Sequence, residues 1–265
     1  MDEIREKIAS LIKDGKAGSV LAIVKNGINV IPVQITSQNL DEVSNICLDE
    51  RRYPIEKMLA SLVDARDDSS PVGIVLRPCE KAAVIELHKL QRFNIADLIL
   101  IDIDCSRELR DKCACDWKDD IAVKVQEGKE FLKDETLDTL ESGTSKERWE
   151  FWSKHFARCI KCYGCRNVCP VCICKACCLE EADVVEKGEL PPEFPIFHLA
   201  RAVDVAGRCI DCGKCEEACP VDIPLRLIHK KVFRDFIRDF KYIPGASIDE
   251  KCPLDFIESI KEEGD

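Results

Sequence analysis

Cys159, Cys162, Cys165, Cys169 and Pro170 form the run C-I-K-C-Y-G-C-R-N-V-C-P. Fifty residues on, Cys209, Cys212, Cys215, Cys219 and Pro220 repeat it as C-I-D-C-G-K-C-E-E-A-C-P. The spacing C-x2-C-x2-C-x3-C-P suits a cubane iron–sulfur cluster. Three thiolates on one tight loop hold three irons, and the proline turns the chain away after the fourth. Where two such runs share a domain, the fourth Cys of each ligates the cluster of the other. One 4Fe-4S cluster is therefore expected on Cys159, Cys162, Cys165 and Cys219, and a second on Cys209, Cys212, Cys215 and Cys169. Structural zinc favours two separated C-x2-C pairs per ion, unlike two full copies each closed by proline. The chemistry expected is one-electron transfer.

Further cysteines lie outside the eight. V-C-I-C-K-A-C-C supplies Cys172, Cys174, Cys177 and Cys178, and D-C-S-R-E-L-R-D-K-C-A-C-D-W supplies Cys105, Cys113 and Cys115. Thiols so crowded are poor inert core, because a free Cys packs as an isolated small hydrophobe. One reading joins the two groups into a third metal centre at a domain boundary; the other leaves them as spare thiols or alternative ligands. Zinc would accept close C-x-C pairs as readily. Cys79 sits in L-R-P-C-E between a strand and a helix. There Arg77 and the amides near Glu80 are placed to meet an anion such as a flavin phosphate, against the plainer reading of a strand–helix turn with a buried thiol. Cys47 and Cys252 stand alone and read as structural. His88 and His229 read as packing or surface residues, and His155 and His198 as neighbours of the cysteine runs rather than ligands. Arg158, Lys161, Arg166, Arg208 and Lys214 lie in or beside the runs, where positive charge raises cluster potentials. Asp211, Glu216 and Glu217 oppose them at the second run, so the first site is expected to have the higher potential.

These residues need a scaffold. Asp2–Lys13 carries Ile4, Ile8, Leu11 and Ile12 on one helical face. Residues 19–24 and 28–35 are β-rich runs around Asn26-Gly27, a hairpin signal. Helical spacing at 55–65, a strand at 72–76, a helix at 80–91 and an apolar strand at 96–103 predict a small α/β layer domain. Residues 118–148 read as helix plus linker, and 146–157 as a helix burying Trp149, Trp152 and Phe156. A helix is expected at 198–206. Leu225, Ile228, Val232, Phe236 and Phe240 stripe a long helix whose other face, Lys230, Lys231, Arg234 and Arg238, reads as solvated. The tail after Gly245 is acidic.

Eighteen cysteines in 265 residues, at metal spacing and without a secretory segment, point to thiolates in a reducing cytoplasmic compartment. The apolar stretches are too short to span a bilayer. A formal net charge of −11 and few aromatic residues argue against nucleic acid as a partner.

The segment R-C-I-K-C-Y-G-C-R-N-V-C-P-V-C-I-C-K-A-C, followed by H-L-A-R-A-V-D-V-A-G-R-C-I-D-C-G-K-C-E-E-A-C-P, resembles the beta subunits of deazaflavin-dependent hydrogenases and formate dehydrogenases. The order ahead of it is similar: a hairpin carrying I-P-V, a helix pair, the strand–R-P-C–helix unit and a strand ending D-I-D-C. The resemblance covers most of residues 17–240. It implies electron passage between a flavin and iron–sulfur clusters inside a larger anaerobic complex with hydrogenase, formate dehydrogenase or heterodisulfide-reductase-like subunits. Such subunits usually open on a longer glycine-rich segment that helps form the flavin pocket. Here one short helix leads directly to Ser19, which argues against flavin. The expected fold is an α/β domain (1–145), an α+β dicluster ferredoxin-like domain with helical extensions (146–245) and an acidic tail (246–265). The expected function is an electron relay among other redox subunits, not a catalytic subunit. The alternative is a flavin-containing oxidoreductase reducing a diffusible acceptor such as a deazaflavin coenzyme.

Overall fold

The structure, a computed structural model, describes residues 1–47, 51–66, 70–118 and 133–255. Four strands, β1 (Ser19–Asn26), β2 (Asn29–Ile35), β3 (Val72–Leu76) and β4 (Leu98–Asp102), form one sheet in the order β2-β1-β3-β4. β1 pairs antiparallel with β2 and parallel with β3, and β3 pairs parallel with β4. Every residue of β3 is buried, as a central parallel strand covered on both faces must be. Alternation along β1 sends Val20, Ala22 and Val24 to one face, against Ile8 and Ile12 of α1 (Asp2–Lys13). Leu21 goes to the other face, against Leu59 of α2 (Ile55–Ala65) and Val84 and Leu87 of α3 (Pro78–Lys89).

The hairpin is displaced by one residue from its expected corner. Asn26 pairs with Asn29, so Gly27 (φ +62°) and Ile28 make the turn. Glycine at the first corner position supplies the positive φ that this turn needs, and Ile28 is left 90% exposed. The predicted strand at 96–103 is shorter at both ends, because a 3-10 turn over Ile95–Asp97 is capped by Asn94.

The second half is helical. α4 (Arg107–Lys112) and α5 (Glu135–Ser142) precede α6 (Ser145–Phe156), whose start is set by Thr144 and Glu147 capping one another. α7 (Gly164–Asn167) and α9 (Lys214–Glu217) are single turns within the two cysteine runs, with α8 (Ile196–Asp204) between them and α10 (Leu225–Phe240) after. Part of the region read as helix plus linker, and residues 256–265 of the acidic tail, lie outside the described residues.

Two expectations about packing need correction. Trp149 is 57% exposed, leaning edge-on against Phe194 at 4.5 Å, and only Phe156 of its helix is fully buried. The charged face of α10 is not all solvated: Lys230 is 1% exposed and donates to Asp211 (2.9 Å) and Asp116 (2.7 Å). Arg226 joins it, binding Asp211 at 2.7 Å and Asp134 at 3.1 Å. Periodicity separates apolar from charged faces, but it does not say where an opposite charge waits.

The two halves are pinned by polar contacts, the innermost of them buried. Lys214 Nζ donates to Glu56 Oε1 (2.7 Å) and to the Tyr53 carbonyl (3.0 Å), with both charged side chains essentially inaccessible. Burial pushes the Glu56 carboxyl up and Lys214 pulls it back. Arg52 donates to the Cys212 carbonyl (2.6 Å), and Lys57 to the Asn167 carbonyl (3.2 Å). Gly245 N–H donates to buried Glu86 (2.7 Å), carrying the start of the tail back onto α3. Removing one member of a buried pair strands the other charge. Lys214→Met is expected to cost about 3–5 kcal/mol, and adding Glu56→Leu to restore most of it. A double-mutant cycle from anaerobic urea unfolding checks this.

Candidate iron–sulfur site

The two cysteine runs adopt one backbone shape. Lys161 and Tyr163 of the first have φ of 49° and 56°, and Asp211 and Gly213, the matching positions of the second, have 50° and 75°. Left-handed residues at alternate positions turn successive amides toward one side, a concavity suited to an anionic cluster. Gly213 adopts this conformation freely. Tyr163 and Lys161 do so at a cost, the kind of local strain found at ligand-holding loops. Each loop then enters its single helical turn, α7 or α9, which carries Cys165 or Cys215.

The eight thiols interleave between the runs. Cys159, Cys165, Cys215 and Cys219 all pack against the apolar group of Phe156, Ile223 and Leu225. Burial pushes the Cys159 thiol up, and Cys165, Cys162 and Cys219 add to the effect. Cys165 is likewise raised by burial, with Cys162 and Cys219 contributing. On the other side Cys209 packs with Cys169. Cys215, pushed by burial up to about 12, feels both Cys169 and Cys165. Thus Cys219 faces the first run and Cys169 the second. Exposure breaks the symmetry, for Cys162 is exposed and Cys212 buried. Among the described residues no group of three or more Cys, His, Asp or Glu side chains is disposed to hold a single metal ion. A cubane asks something different, one thiolate per iron, and the interleaved thiols on concave loops fit that demand.

Residues 158–224 match the family model of the 4Fe-4S dicluster domain. The chain carries a dicluster domain. The F420-dependent formate dehydrogenase subunit beta of Methanocaldococcus jannaschii is 38% identical over 104 residues, 39% of this chain and 27% of that protein. The F420-dependent formate dehydrogenase 1 subunit beta of Methanococcus maripaludis is 44% identical over 104 residues, 39% of this chain and 26% of that protein. In that stretch the chain is similar to these beta subunits, and the match spans about a quarter of the length of these curated relatives.

The remaining cysteines of the dicluster domain have separate surroundings. Cys172 is buried with Cys169, Val171 and Val205, Cys174 contacts Asp204, and Cys177 packs near Tyr163 and Leu179. Cys113 and Cys115 have a different neighbour, Cys79, and not this group. Cys79 itself lies in the first turn of α3, where the Arg77 amide is satisfied by Glu80 (2.9 Å) and the Arg77 guanidinium lies 3.7 Å from Glu80. Cys252 is buried beside Phe236 and Tyr242. His88 bonds the Phe93 carbonyl, and His155 meets Arg158.

The cations expected to tune the clusters have hydrogen-bond partners of their own, and the charge of Lys214 also reaches Cys212. Arg158 donates to the Asp222 carbonyl, Lys161 to the Glu186 carbonyl, Arg166 to Glu180, Arg208 to Asp255 and Lys214 to Glu56. The residue that lies between the runs is Arg201 of α8, which its own helical pattern does not single out. It is 4% exposed, donates to the Cys165 carbonyl (2.8 Å) and bonds His229 Nε2. Burial works against its charge, but Cys169, Cys165, Cys215 and Cys172 surround it and keep it protonated. Arg201→Gln is expected to lower cluster midpoint potentials by on the order of tens of millivolts, read by an EPR-monitored redox titration.

Below it His198 stacks on Phe156 (3.8 Å between centroids, planes 8° apart). Burial, then Arg201, lowers its pKa to about 4, so it is neutral in the folded protein at pH 7. An unfolded histidine takes up its proton near pH 6.5. The stability it supports is therefore complete above that pH and falls as pH drops from about 6.5 toward 4. Between pH 7.5 and 5.5 the native chain should lose about 1 kcal/mol more than His198→Phe, read as the shift of the anaerobic urea midpoint.

Proposed function

We propose that the chain is an iron–sulfur electron-transfer subunit carrying two 4Fe-4S clusters. Cys159, Cys162, Cys165 and Cys219 would hold one, and Cys209, Cys212, Cys215 and Cys169 the other. The observation that carries this reading is the interleaving, with Cys219 among the thiols of the first run and Cys169 beside Cys209. When bound, each cluster takes up or releases one electron. The chain's residues supply the rest. The left-handed loops aim amides inward, Arg201 places a buried positive charge between the runs, and the stacked His198 and Phe156 exclude water. Exposed Cys162 puts the first run nearest a docking partner. Buried Cys212 puts the second against the α/β domain.

The division at 1–145, 146–245 and 246–265 follows from this reading, with the dicluster domain as the wire and the α/β domain as the body it is fastened to. The named relatives are formate dehydrogenase beta subunits, which supports work alongside other redox subunits in a hydrogenase, formate dehydrogenase or heterodisulfide-reductase-like complex. None of the eighteen thiols is in a disulfide, and no helix among the described residues is long and apolar enough to cross a membrane. Both fit a reducing cytoplasmic setting.

Cys162→Ala combined with Cys212→Ala should remove roughly eight irons per chain and the one-electron EPR signals of both clusters. Flavin counted on the same anaerobic preparation should be absent. One flavin per chain would move the function to the alternative, an oxidoreductase serving a diffusible acceptor.

A further inference from the structure

We propose that His229 is the positioning residue for the cation between the two cysteine runs, holding the Arg201 guanidinium where its charge acts on both.

Arg201 is buried, and among the described residues its hydrogen-bond partners are the Cys165 carbonyl (2.8 Å) and the His229 imidazole, with no carboxylate beside them. A guanidinium taken out of water without a counter-ion is costly. The anions that its surroundings imply are thiolates, since Cys169, Cys165, Cys215 and Cys172 are the groups that favour its charge. Cys165 belongs to one proposed cluster, Cys169 and Cys215 to the other, so a single side chain serves both. The buried Nε–H has no acceptor among the described residues, which leaves one donor over for a cluster sulfur. That role depends on the reading of these cysteines as ligands of two clusters.

The effect of a charge falls with distance, so the placement of the guanidinium fixes what it does. Its plane is pinned at two ends. One terminal N–H group donates to the Cys165 carbonyl, in the single turn α7, and the other to His229 Nε2, on α10. A guanidinium has only donors, so Nε2 must accept and the ring proton sits on Nδ1. His229 is therefore a neutral acceptor, in keeping with burial, Arg201 and His198 all lowering its pKa well below the ordinary value. With one anchor the planar group is free to turn about the Cys165 carbonyl. With two anchors from different helices it is not.

The second anchor is itself firmly set. His229 is 3% exposed and shares the inward face of α10 with Arg226 and Lys230, both fastened to Asp211 of the second run. On α8, one turn before Arg201, His198 is fixed by its stack on Phe156. His229 is packed, as its place on a helix suggests, but its Nε2 is committed to a cation from another helix.

The test is an EPR-monitored redox titration of the anaerobically purified full chain and two amide variants. In His229→Gln the side-chain carbonyl reaches the place of Nε2 and accepts from Arg201; in His229→Asn it stops short, near the place of Nδ1. Native midpoints are expected in His229→Gln. In His229→Asn they should fall, in the direction of Arg201→Gln and by most of that shift, because a guanidinium free to turn away stabilises the reduced clusters less. Arg201→Gln/His229→Asn should match Arg201→Gln alone, since His229 acts only through the cation. Native midpoints in His229→Asn overturn the proposal, and so do equal shifts in the two amide variants or an additive double variant. If His229→Asn does not fold, His229→Leu, which fills a similar volume without an acceptor, takes its place in each comparison. A native chain with no cluster signal sinks the two-cluster reading and this role together; native signals indifferent to His229 sink this role alone.

Discussion

A loop that turns its amides and sulfurs toward one point has few side chains left to bury, so its shape must be held from outside. Here buried cations do the holding. Lys214 leaves the second run to pair with Glu56 of α2, and Arg52 reaches from the α/β domain to the Cys212 carbonyl. Lys57, only half-buried, reaches carbonyls of the first run in the same way. Such pairs are weak sources of net stability, since desolvation offsets most of their attraction. Their geometry is nevertheless demanding, because each tolerates only one placement of the loop against the sheet.

The repeat in the sequence is symmetric, and its surroundings are not. Both runs share the left-handed positions and the single helical turn. The first presents Cys162 to solvent, while the second lodges Cys212 against α3 among Cys79 and Cys115. The second run's neighbourhood is also rich in charge. Asp211 is buried, its pKa raised by burial to about 6 against the pull of Arg226 and Lys230. Those two cations come from α10, so the long helix braces the loop electrostatically as well as by packing.

Much of the scaffold was legible in the chain. The α1, α2 and β3 spans coincide with the periodic patterns that predict them, because an amphipathic helix or a fully buried strand writes its period directly into the residues. The failures share a cause. Lys230 looked solvated and Trp149 buried, and the reverse is closer to the truth. A charge is buried when a partner lies across the fold, and a ring is exposed when the face it was meant to fill is already taken by Phe156 and Phe194. Neither condition is local. Arg201 escaped notice for the same reason, since nothing within its own helix marks it as the cation between two cysteine runs.

Cysteine spacing alone determined the chemistry, because a ligand loop for a cubane is built from residues within a dozen positions of one another. The same repeat leads to the expectation that the fourth cysteines are exchanged between clusters. Which of the other thiols meet was decided only by the tertiary structure. Cys113 and Cys115 are far from Cys79 in sequence and join it because β3 and β4 lie side by side, bringing the loops at their carboxyl ends together. Strand pairing is a long-range contact, and no spacing rule within one segment encodes it.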